Sequence, residues 1–101
     1  MLEDDKDLVR ALKALADDTR LEIVRMLCEQ ELCACHILTR FHITQPTLSY
    51  HMRLLTESGL VVSRREGSLI WYTLNRECFL RVREHLCRFC EKLKTARYEV
   101  L

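Results

Sequence analysis

The segment ELCACHILTR, Glu31 to Arg40, sets two cysteines one residue apart and a histidine directly after the second. Thiolates are soft ligands, so Cys33 and Cys35 together offer a grip on one soft metal ion. On an ideal helix, however, residues i and i+2 point roughly 200° apart, because each residue advances about 100°. Two thiolates cannot meet at one ion in that arrangement. Either Cys33 lies just before a helix begins, or binding must unwind the helix's first turn.

A second group lies near the end of the chain. Cys87 and Cys90, at i and i+3, share one helix face; with Cys78 they are candidates for a second soft-metal site, or for ligands donated across a dimer. Cys90 also fits the apolar stripe of its helix, and His36 reads more readily as a surface histidine than as a ligand. The CRFC spacing matches that of thiol oxidoreductases but lacks their βαβ surroundings, so no enzyme is expected.

The chain of 101 residues is 49% apolar, which suits one modest core and a single domain over residues 1–101. Only two glycines and one proline point to a mainly helical fold. No apolar run reaches the ~20 residues of a membrane span, and the N-terminus is acidic where a secretory signal would be basic, so no membrane contact and a cytoplasmic location are expected. In a reducing compartment six cysteines do not read as a disulfide framework. Metal binding, redox sensing or burial must account for them, and burial is the reading for Cys28. Charge divides unevenly: residues 1–35 carry 9 acids and 5 bases, residues 36–101 carry 6 acids and 11 bases. The basic part is compatible with a nucleic-acid face.

The elements that must position these groups follow from periodicity. Leu8, Leu12 and Leu15 mark a first helix over Asp5 to Leu15; Asp17 or Asp18 starts a second, with Leu21, Val24, Leu27 and Cys28 as its stripe. ELCACHILTRF forms a short third. In TQPTLSYHMRLLTESG, Thr44 is the N-cap, Pro46 sits in the first turn, Ile43 staples onto Leu48 and Gly59 ends the helix. Its inward stripe is Leu48, Met52 or His51, and Leu55. LVVSRREGSLIWYTL reads as a hairpin turning at Glu66-Gly67, with Arg64 and Arg65 at its tip. Asn75 then caps a last helix with the stripe Phe79, Val82, Leu86, Phe89 or Cys90, and Leu93, apolar enough to need a partner such as a second copy of the chain.

That order is mainly α with a β-hairpin wing, a winged helix-turn-helix. Such a fold lays the N-terminal part of its recognition helix in the major groove of double-stranded DNA. The outward residues Gln45, Thr47, Ser49, Tyr50 and Arg53 are then the base and phosphate contacts, with His51 either beside them or half-buried. Arg64 and Arg65 would meet the backbone or minor groove from the wing. One small unit buries too little interface for tight binding, so a twofold dimer on two half-sites is expected.

ALADDTRLEIVRML, ELCACHI, ITQPTLSYHMRLLTESGLV and RREGSLIWYTL together resemble the ArsR/SmtB family of metal-responsive bacterial repressors, across Leu8 to Leu74. The resemblance implies a homodimer built on the first and last helices, an operator as partner, and release by metal. ELCACHI is similar to the ELCVCDL-type motif of arsenite-responsive members, whose paired thiolates carry over onto Cys33 and Cys35. It implies As(III) or Sb(III) as inducer, with Cd(II), Pb(II) or Zn(II) as further candidates and no cofactor needed for DNA binding. The chain departs from the pattern at Leu38, where a third cysteine often stands, and has no cysteine in residues 1–27 as cadmium and lead sensors do. A third ligand must then be water or hydroxide, His36, or a cysteine from elsewhere. The family's zinc site on the last helix finds no match beyond His85. Cysteine oxidation or persulfide formation is the alternative switch.

Overall fold

The computed structural model describes residues 5–95. Helices α1 (Asp5–Leu15) and α2 (Asp18–Glu29) are followed by a two-residue strand, β1 (Leu32–Cys33), and the short helix α3 (Ala34–Arg40). Helix α4 (Gln45–Glu57), the hairpin β2 (Val61–Glu66) and β3 (Leu69–Leu74), and α5 (Arg76–Thr95) complete the order. The sheet is antiparallel, in the order β1-β3-β2, with Cys33 opposite Trp71 and Trp71 opposite Arg64. The fold is a winged helix-turn-helix, with α3 and α4 as the motif and β2–β3 as the wing.

The caps explain the breaks. The Asp17 carboxylate accepts the Arg20 N–H at 3.0 Å and starts α2, and the Thr44 hydroxyl accepts the Thr47 N–H at 3.3 Å and starts α4. Gly59, at φ +88°, turns the chain out of α4 in a conformation that other residues rarely adopt. Asn75 Oδ1 accepts the Cys78 N–H at 3.3 Å at the start of α5.

Ile23, Ile37, Met52, Leu55 and Leu60 are fully buried where α2, α3, α4 and the wing converge. Each such side chain contributes about 1.5–3 kcal/mol of burial. Position 37 thus ties the short α3 to the rest of the core, which propensity alone would not do for seven residues.

Three stripe assignments shift. In α1 the buried face is Leu8, Ala11 and Ala14; the small alanines admit close packing while Leu12 turns outward, 37% exposed. In α2 it is Arg20, Ile23, Val24 and Leu27, which leaves Leu21 and Cys28 roughly 90–110° off that face. Cys28 is exposed rather than buried. Among the described side chains of α5 only Cys78 and Val82 are buried; Phe79 is half-buried, and Leu86, Phe89 and Leu93 are exposed at 44%, 59% and 55%.

Candidate thiol site and nucleic-acid interface

Cys33 ends β1 and serves as the N-cap of α3, with extended backbone at φ −84° and ψ 160°. Helical geometry begins only at Ala34. The sulfurs of Cys33 and Cys35 therefore turn toward each other, and the structure joins them as a disulfide with their Cα atoms 5.4 Å apart. Of the two arrangements the sequence allows, the cysteine outside the helix is the one present. No unwinding of α3 is required for the sulfurs to meet.

Three neighbours frame the pair. The Cys33 N–H donates to His36 Nδ1 at 3.3 Å, and the His36 ring stands edge-on to Trp71, centroids 5.8 Å apart. Cys33 is almost wholly buried while Cys35 and His36 are exposed. Cys35 also lines a groove between α3, α4 and the wing, together with Leu38, Gln45, Ser49 and Ile70. One thiol of the pair thus opens onto the groove that holds two of the DNA-reading candidates.

The outward face of α4 is as the sequence indicates. Gln45, Thr47, Ser49, Tyr50 and Arg53 are all exposed, with the Arg53 guanidinium 5.6 Å from the Tyr50 ring centre. Thr44 Oγ1 lies 3.0 Å from Thr47 Oγ1, which keeps the Thr47 hydroxyl at the helix start. The face carries no acidic residue in its first turn, so nothing there repels a phosphate.

His51 does not belong to that face. Its side chain is 12% exposed, and its Nδ1 lies 3.0 Å from Arg20 NH1 and 3.9 Å from the Asp17 carboxylate. Arg20, itself buried, also donates from Nε to the Ala14 carbonyl at 2.7 Å. The end of α1, the start of α2 and the recognition helix are therefore pinned at one point. The Arg20 N–H is the main reason the Asp17 carboxyl titrates below its usual range, with the Arg20 and His51 charges adding to the effect. Sequence reasoning missed Arg20, although an arginine on the apolar stripe of α2 was a visible signal.

The wing arginines part company. Neither is at the tip, which is formed by Gly67 and Ser68; both lie within β2. Arg64 shares a sheet face with Trp71 and Cys33, and its guanidinium pairs with Glu31 at 2.7 Å and Glu66 at 3.1 Å. Its charge is thereby largely spent within the protein. Arg65 is exposed, sits opposite Ile70 and has no ion pair among the described residues, so it is the better placed of the two for phosphate.

The remaining cysteines do not join the Cys33 group. Cys78 is buried beneath Gly59, and burial pushes its thiol above the usual range. Nine residues along α5 separate it from Cys87, roughly 13 Å, so it cannot share an ion with Cys87 and Cys90 in the same subunit. Those two are exposed.

Residues 17–63 match the model of the bacterial regulatory protein family arsR. The chain is 49% identical over 70 residues to the arsenical resistance operon repressor of Staphylococcus aureus, covering 69% of this chain and 67% of that one. This chain belongs to the arsR family. Its members are DNA-binding transcription regulators and not enzymes. A cadmium resistance transcriptional regulatory protein CadC homolog of Staphylococcus aureus is 40% identical over 72 residues, 70% of this chain and 60% of that one. Among solved structures, the ArsR family transcriptional regulator RHA00566 superposes with a TM-score of 0.88 at 22% identity, over 96% of this chain and all of that one. The homodimeric winged helix-turn-helix domain Mb0332 from Mycobacterium bovis superposes at 0.69 with 27% identity, over 94% and 89% of the two chains. Among the described residues no helix is long and apolar enough to cross a membrane.

Proposed function

We propose that the chain is a metalloid-responsive repressor that binds operator DNA as a dimer and is released when trivalent arsenic or antimony binds the thiolates of Cys33 and Cys35. The observation that carries this reading is the meeting of the two sulfurs at the first turn of α3, on the wall of the groove that also holds Gln45 and Ser49. The names of the similar arsenical resistance repressors support it.

The coupling needs no melted helix. Cys33 is paired with Trp71 of the wing, Cys35 belongs to α3, and α3 leads through residues 41–44 into α4. An ion that sets the distance between the two sulfurs shifts α3 against the wing, and with it the recognition helix. Binding at one site then opposes binding at the other by the same factor in both directions.

In DNA binding, Gln45 and Ser49 read base edges, Arg53, Tyr50 and Thr47 hold phosphate or sugar, and Arg65 reaches the backbone from the wing. Dimerisation uses the exposed Val9 and Leu12 of α1 and the exposed Leu86, Phe89 and Leu93 of α5, two helices that touch each other. The homodimeric state of the Mb0332 domain supports this. Cys87 and Cys90 lie among these α5 residues and are candidates for a ligand shared between subunits.

A second reading has one observation in its favour. The Cys33–Cys35 disulfide is itself a two-electron switch, and its formation removes both thiolates. Operator-bound protein, reduced with a phosphine and then given As(III) or a mild oxidant in parallel, separates the two. Release by As(III) alone supports the metalloid reading; release by the oxidant alone supports the redox one.

A further inference from the structure

Away from the thiols, an open pocket of about 670 Å³ lies between α1, the start of α2 and the end of α4. Its lining is basic. Lys6, Arg10 and Lys13 are exposed and line it from α1, the buried Arg20 joins them from α2, and Glu57 is the one carboxylate among the lining residues. Around α1 the three cations fall within about 60° of one another, and Leu12 of the proposed dimer face lies about 100° or more from each. Val9 stands between the two faces, so the pocket borders the dimer face. Lys6, Arg10 and Lys13 form no ion pair among the described residues. Like charges gathered in this way repel one another, and an anion among them relieves that cost.

Arg20 makes this more than a group of surface cations. It is 8% exposed, and a buried charge ordinarily has a counter-ion beside it. Here the Asp17 carboxylate bonds the Arg20 main-chain N–H, and the guanidinium forms no ion pair among the described residues. Its Nε and NH1 are held by the Ala14 carbonyl and His51 Nδ1, which fixes the group in place and leaves its other terminal nitrogen to donate to a ligand.

We infer that the pocket binds a small organic anion carrying two or more phosphate or carboxylate charges. A lone inorganic phosphate would leave most of the space empty, while Val9, Ala14 and the half-buried Leu54 offer apolar surface to the remainder of a larger molecule. The operator does not compete for the site. Glu57 lies roughly 18 Å along α4 from Gln45, at the opposite end of the helix from the groove-reading turn. A ligand on Arg20 is nevertheless one contact from α4, through His51.

The test titrates ATP as an organic triphosphate, citrate as a tricarboxylate, and inorganic phosphate, without divalent metal and at one ionic strength, into free and operator-bound protein. The Arg20 Nε–H resonance is followed by NMR and affinity by calorimetry, for the wild type, Lys6→Gln/Lys13→Gln and Glu57→Gln. Glutamine is a good helix former, so α1 is preserved. ATP or citrate should shift the Arg20 resonance in free and operator-bound protein alike, and the one that binds tells phosphate from carboxylate; inorganic phosphate should bind far more weakly. Affinity should fall ~10-fold or more in the double variant, the scale of one charge-assisted hydrogen bond, and rise in Glu57→Gln. The double variant should bind the operator as the wild type does. No shift with either organic anion, unchanged affinity in the double variant, or inorganic phosphate binding as tightly overturns the inference. An anion that the operator displaces sits on the DNA face, and overturns it too. The free-protein arm stands whether or not the chain binds an operator, so failure of the pocket and failure of the DNA-binding reading are told apart.

Discussion

Replacing Arg20 with alanine is expected to be the most damaging single change to the recognition helix that touches no DNA. Arg20 is only 8% exposed and its side chain makes two hydrogen bonds, to the Ala14 carbonyl at 2.7 Å and to His51 at 3.0 Å. Hydrogen bonds from a charged donor contribute about 1.5–3 kcal/mol each, and a buried acceptor left unpaired costs about 1–3 kcal/mol. Water reaching the site past Asp17, 34% exposed, recovers part of that. The net loss is on the order of 3 kcal/mol, a large share of the roughly 5–15 kcal/mol that holds a typical domain together. Because the stability of a self-associating protein depends on concentration, urea unfolding of wild type, Arg20→Ala and Arg25→Ala is compared at one protein concentration. Arg25 pairs with Glu22 on the surface, 64% and 38% exposed, and should cost less than about 1 kcal/mol. Arg20→Ala should lower the urea midpoint at unchanged slope and also weaken operator binding, since α4 loses its anchor at His51. A loss for Arg20→Ala no larger than that for Arg25→Ala would refute the role given to the Arg20–His51 contact.

The other expectations are simpler. Arg65→Ala should weaken operator binding on all sequences and reduce the salt slope by about 1 per subunit, whereas Arg64→Ala should change the slope less, because its guanidinium already pairs with Glu31 and Glu66; fluorescence anisotropy over a salt series reads both. At Gly59→Ala the new Cβ meets only Cys78 Sγ at an ordinary 3.6 Å, so the cost is that of φ +88°, roughly 1–2 kcal/mol in urea unfolding. The Asp17 carboxyl is depressed in the folded state, so its share of stability is present above its ordinary value of 3.8 and is lost as pH falls through the lower folded value. Asp17→Asn should flatten that part of a stability–pH profile, and an unchanged profile would dismiss the carboxylate's part.

The fold was largely legible in the sequence because its signals were local. Thr44, Pro46 and Gly59 bound α4, Gly67 turns the hairpin, and Leu48, Met52 and Leu55 repeat at helical spacing. What stayed hidden depended on contacts between distant residues. Strand β1 is two residues long and exists only through pairing with β3, so no periodicity announces it. That pairing keeps Cys33 extended and resolves the geometric conflict of the two cysteines. His51 turned inward because Arg20, 31 residues earlier, claims its Nδ1. Arg64 lies within β2 because the strand runs on to Glu66 and the turn falls at Gly67 and Ser68, and Cys28 lies off the face of Arg20, Ile23, Val24 and Leu27 that α2 buries.

Whether the inducer acts through Cys33 and Cys35 decides the proposed function. The direct measurement is an As(III) titration of labelled operator bound to the phosphine-reduced protein, followed by anisotropy, for the wild type, Cys33→Ser, Cys35→Ser and the Cys87→Ser/Cys90→Ser double variant. All four should bind the operator alike, the wild type and the double variant should release it, and neither single variant should. Release from Cys33→Ser or Cys35→Ser at the wild-type As(III) concentration, or its loss only in the double variant, would contradict a sensor built on this pair.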